Sequence, residues 1–154
     1  MKRKLLLVLC GIVLAGVLLL TLLPVADVHL RPRVNEAIAV KKLHTIVELQ
    51  NQYAAAHRYN AFACELTLLK SGRVQESDNS LNFLTTGMQN GYSFALVGCS
   101  SEANRTNVHY QITAVPIERG KTGSRAFCTD EQGTIWVDDE GSARNCLTLR
   151  HALQ

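Results

Sequence analysis

The chain has 154 residues and a mass of 17.0 kDa, is 47% hydrophobic and 19% charged, and so has the size and composition of one folded domain. That excludes a disordered chain and a multidomain enzyme. Lys2, Arg3 and Lys4 stand ahead of a 19-residue uncharged run, Leu5–Leu23; without those three residues, 13 Lys+Arg face 13 Asp+Glu. The downstream part is therefore neutral, and no concentrated basic patch remains to neutralise phosphates, which argues against nucleic acid as a partner.

As a helix at about 1.5 Å per residue, Leu5–Leu23 spans about 28 Å, close to the hydrocarbon thickness of a bilayer. The run exceeds the roughly 7–15 residues of a signal-peptide apolar region, and Pro24-Val25-Ala26 puts proline where a cleavage site needs a small residue. An uncleaved anchor is expected. The positive-inside rule keeps Lys2-Arg3-Lys4 in the cytoplasm, so the N-terminus is cytoplasmic and the C-terminal domain lies on the far side of the membrane. Residues 1–26 are read as cytoplasmic tip and transmembrane helix, 27–60 as an extracytoplasmic helix and 61–154 as a globular head.

Beyond Pro32, which suits a helix start, Val34 to about Arg58 contains neither Gly nor Pro. Val34, Ile38, Ile46, Leu49 and Tyr53 form a helical stripe opposite Lys41, Lys42, Glu48 and Gln52. The C-terminal part of the stripe is expected to pack on a sheet, and the membrane-proximal part to pack against neighbouring copies. A short helix is expected near Ser80–Gly87. Then the period changes to two: Tyr92–Val97 and Tyr110–Val115 alternate as strands, the second stopping at Pro116. Arg125–Thr129 and Thr134–Asp138 make a further pair across the turn Asp130-Glu131-Gln132-Gly133. Glu118–Gly123 is a glycine-bearing loop between the pairs. The expected fold is α+β: a long N-terminal hydrophobic helix continuing into a head with an antiparallel sheet of about four strands.

Cys10 lies in the apolar run, whereas Cys64, Cys99, Cys128 and Cys146 all lie beyond it, 35, 29 and 18 residues apart. Four cysteines in a small exported domain suggest two disulfides, with three connectivities. The short 18-residue excursion favours Cys128–Cys146, which leaves Cys64–Cys99 by elimination. Close Cys or His pairs of the kind that bind metal do not occur. Asp138–Ser142 departs from the spaced acidic pattern of a calcium loop and reads as an acidic hairpin tip. Gly120-Lys121-Thr122-Gly123 lacks the rest of a phosphate-binding loop and reads as a turn. No nucleophile, base and orienting partner assemble, and no cofactor is expected, so the chain is read as non-enzymatic.

Several segments together resemble the type IV pilin and type II secretion pseudopilin superfamily. They are Val34–Ile46 with Gln52-Tyr53, Phe62-Ala-Cys-Glu-Leu66, Gly91–Cys99, Tyr110–Pro116 and Thr122–Gly133, in that order along a hundred residues. The resemblance implies a structural subunit or accessory of a bacterial envelope filament or secretion system. Such a protein sits in the inner membrane, with its head in the periplasm or outside the cell, and has other pilin-like subunits or secretion machinery as partners. The chain departs from the family's processing pattern, because Leu5–Leu23 holds no acidic residue and neither Gly11 nor Gly16 is followed by Phe or by a glutamate five positions on. The alternative function is a solitary extracytoplasmic ligand-binding or adhesion domain on the same fold.

Overall fold

A computed structural model describes residues 31–57, 61–70, 81–99 and 108–153. The apolar run Leu5–Leu23 lies outside the described residues; among them, no helix is long and apolar enough to cross a membrane.

Residues 31–56 are helical (α1). Glu36, Ala39, Leu43, Ile46, Gln50 and Ala54 are its buried positions, and their steps of three and four place them along one line of an α-helix. A 3-10 turn at Leu66–Lys70 and the single-turn helix α2, Phe83–Thr86, lead into the sheet. α2 ends at Gly87, whose φ of 68° is the left-handed conformation that closes helices at low steric cost.

Among the described residues the sheet has six antiparallel strands in chain order: β1 Met88–Gln89, β2 Tyr92–Val97, β3 Gln111–Pro116, β4 Ala126–Asp130, β5 Trp136–Asp138 and β6 His151–Ala152. The four strands expected from alternation are β2 to β5; the count is corrected to six by the two-residue pieces β1 and β6 at the edges. A seven-residue helix α3, Ala143–Leu149, precedes β6. Asp138–Ser142 is accordingly not a hairpin tip. Asp138 ends β5 and its carboxylate accepts from the Ser142 amide at 2.6 Å, while Ser142 Oγ caps α3 by accepting from the Asn145 amide at 3.2 Å.

All five residues of β4 are buried, because the sheet is covered on both faces. Phe127 sits in register with Ala114 and Val137 and joins Leu43, Ile46, Tyr92 and Phe94 in the main core. Its neighbour Cys128 points to the opposite face with its register partner Trp136 and meets Cys146 of α3. The period of two along a strand thus serves two layers, α1 on one side and α3 on the other.

Candidate functional site

At about 100° per residue, the stripe Val34, Ile38, Leu49, Tyr53 and Ile46 is centred roughly a quarter-turn from the line that α1 buries. The five residues therefore do not share one environment. Ile46 is fully buried, and Leu49 and Tyr53 pack against the core from its margin. Ile38 is half-buried and does not belong to the core cluster, and Val34 is 54% exposed. The C-terminal end of the stripe is spent on the head, whereas at its N-terminal end Ile38 lies outside the core and Val34 stands in solvent.

The N-terminal part of the helix is held by a polar latch that apolar periodicity does not reveal. Glu36 is 6% exposed. Its Oε1 accepts from the backbone amides of Ser124 (2.9 Å) and Arg125 (3.3 Å). Its Oε2 accepts from Arg125 Nε at 2.9 Å and pairs with the same guanidinium through Nη2 at 2.9 Å. Burial alone would raise the Glu36 pKa, but the Ser124 amide and the Arg125 donors outweigh it, and the carboxyl is held below its ordinary value. Beside it, Asn35 Nδ2 donates to the Thr122 carbonyl at 2.9 Å. The signal for Glu36 was present: it falls three residues before Ala39 on the buried line, where a charge needs a partner.

The loop that receives this latch is the glycine-bearing turn of residues 118–123. It closes through Thr122 N–H to Glu118 O (2.9 Å) and Gly120 N–H to Gly123 O (2.7 Å), so its Gly-Lys-Thr-Gly forms a turn, as read. Tyr92, fully buried, supports it from below by donating its hydroxyl to Arg125 O at 2.8 Å. Gly123 lies flat on that phenol, where a Cβ would come within 2.6 Å of Tyr92 Cζ. Glycine is needed here for close approach.

The cysteines divide into two kinds. Cys128 and Cys146 are bonded, with Cα atoms 6.0 Å apart, and completely buried beside Trp136. Cys64 and Cys99 are half-buried thiols not joined by a disulfide, the Cys99 thiol within hydrogen-bonding reach of Cys64. Burial and this neighbour push the Cys64 thiol up to about 12. Gln50 of α1, fully buried, fixes the place of Cys64: its amide donates to Ala63 O and accepts from Ala63 N–H, each at 2.9 Å. The side chain mimics the pairing of a neighbouring β-strand, a role that the Gln50 position in a helical pattern does not announce.

Among the described residues, no three His, Cys, Asp or Glu side chains gather as a metal-ligand set. Arg119 pairs with Glu140 at 2.7 Å and His109 with Glu131 at 2.7 Å, both on the surface. What this arrangement offers is a helix flank joined to the head by polar contacts, together with a dithiol. Comparison with known protein families, with curated proteins and with solved structures finds no match.

Proposed function

We propose that the protein is a membrane-anchored, pilin-like or pseudopilin-like structural subunit or accessory of a bacterial envelope filament or secretion system, working by lateral packing rather than by catalysis. The observation that carries this reading is the division of the α1 stripe. Ile46, Leu49 and Tyr53 are used by the head, whereas Val34 is exposed and Ile38 lies outside the core. Those two are the residues nearest the 19-residue apolar run of the sequence. An apolar flank just above a membrane anchor is where a neighbouring subunit's helix would meet it, since helices associate through such side chains at close approach. The Glu36–Arg125 and Asn35–Thr122 contacts would keep that flank at constant height against the head while a neighbour pulls on it. The helix-then-antiparallel-sheet order and the short-loop disulfide near the C-terminus agree with the same reading.

The test is crosslinking in cells that express the full chain. Val34→Cys should give disulfide- or maleimide-linked oligomers in the membrane fraction. Asn51→Cys, exposed on another side of α1, should give none. A shortened, monomeric chain in the soluble fraction, uncrosslinked at position 34, would overturn the proposal.

A further inference from the structure

We propose that Cys64 and Cys99 are a reversible dithiol–disulfide pair that fastens the segment after α1 to the end of β2, separate in kind from the permanent Cys128–Cys146 bond. Three observations carry it. The two thiols are neighbours although 35 residues separate them in sequence. Both are partly accessible, whereas Cys128 and Cys146 are fully buried, and access decides which sulfurs meet a reagent. Finally, the meeting is built rather than incidental. Gln50 clamps both backbone groups of Ala63, and Cys99 Sγ also approaches Ala63 O at 3.8 Å, just past Gly98, whose φ of 74° ends β2. The chain is thus pinned on either side of the sulfur pair.

The chemistry is thiol–disulfide exchange with a small-molecule or protein disulfide as oxidant. Either thiol can make the first attack once it has given its proton to solvent, and the course from Cys99 is representative. A bond forms between Cys99 Sγ and one oxidant sulfur, the oxidant's S–S bond breaks, and its other sulfur leaves as a thiolate. In the mixed disulfide Cys64 still carries its proton. Cys64 then gives up that proton to the departed thiolate and attacks Cys99 Sγ. The second oxidant sulfur leaves as a thiolate and takes a proton from solvent. Two cysteine thiols are oxidised to one disulfide, and the oxidant is reduced to two thiols. This does not depend on whether the chain assembles with other copies.

The experiment incubates the full-length protein in detergent with oxidised glutathione and follows intact mass and cysteine-linked peptides. The expected product is lighter than the dithiol by two hydrogens, with the new link mapped to Cys64 and Cys99. Mild reductant should reverse it while Cys128–Cys146 stays closed. Stable glutathione adducts on both thiols, or two thiols still alkylated after the incubation, would overturn the pairing. Cys64→Ser and Cys99→Ser should each keep a glutathione adduct on the remaining cysteine, where the natural chain resolves it to the internal disulfide; release of glutathione from either variant at the natural chain's rate would overturn the pairing. Because the first measurement uses the natural chain, the outcome does not hang on how either variant folds.

Discussion

Glu36 and Arg125 stand 89 positions apart in the chain and meet twice on one carboxylate oxygen, through Nε and Nη2 at 2.9 Å each. This contact joins the first described turns of the helix to the edge of the central strands, and the partner arginine remains 40% exposed in its side chain. Removing the carboxylate in Glu36→Ala leaves the Ser124 and Arg125 amides without their acceptor. Discounting for the exposure of Arg125, the expected loss is about 2 kcal/mol, read as a lower urea midpoint with unchanged slope.

The same carboxylate makes stability depend on pH with a definite sign. Its pKa in the folded protein lies below the ordinary 4.5, so its contribution is complete above that value. The contribution fades as pH falls below 4.5 and is gone once pH has passed through the lower folded value. Denaturation midpoints of the natural protein should therefore drop on acidification below 4.5. Glu36→Gln should show a shallower drop over the same window, and equal slopes would refute the assignment.

Two buried tyrosines should respond in opposite directions to loss of their hydroxyls. Tyr92 donates to Arg125 O, and Tyr92→Phe should cost about 1 kcal/mol. Tyr110 is fully buried with no hydrogen-bond partner for its hydroxyl among the described residues, and burial pushes that phenol up to about 12. Tyr110→Phe should be neutral or stabilising by up to ~1 kcal/mol. Thermal melts of the two variants side by side check both signs.

Gly123→Ala should destabilise by about 2 kcal/mol, because the new methyl must displace a phenol whose hydroxyl, the atom it meets first, is held by a hydrogen bond to Arg125 O. Combining it with Tyr92→Phe, which removes the nearest atom, should cost less than the sum of the two single changes. Strict additivity in that double-mutant cycle would show that the contact is not what makes glycine necessary.

Opening the Cys128–Cys146 bond, which closes an 18-residue separation, should cost about 3 kcal/mol. Trp136, the only tryptophan, packs on that bond with the Arg150 guanidinium 4.5 Å from its ring centroid. Its fluorescence should therefore change when Cys128 and Cys146 are both replaced by alanine, and should not change when Cys64 and Cys99 are.

Elements whose apolar spacing is long enough to show a period were legible in the sequence. The helix through 56, the alternation of Tyr92–Val97 and the strand ending at Pro116 all stand where their patterns put them. What escaped notice lacked a period. β1 and β6 hold two residues each, too few to alternate. α3 buries only Cys146 among its seven residues, so the sequence Ala-Arg-Asn-Cys-Leu-Thr-Leu reads as polar surface, and its one cue was Ser142 as a cap. Glu36 and Gln50 were hidden for a different reason. A search for apolar faces treats a carboxylate and an amide as outward, and both belong to the inward line because each brings its own hydrogen-bond partners with it.

The six strands lie side by side in the order in which the chain makes them. Each pairing therefore joins sequence neighbours and closes a short stretch of chain, which favours rapid zipping of the sheet. The helix has no such local partner: Asn35 and Glu36 wait for residues 122–125, and Leu43 and Ile46 for a core that includes Phe127. Since synthesis runs from the N-terminus, α1 is complete long before its docking surface exists. Throughout that interval its inner face is bare, and the newborn chain is at its stickiest until β4 arrives.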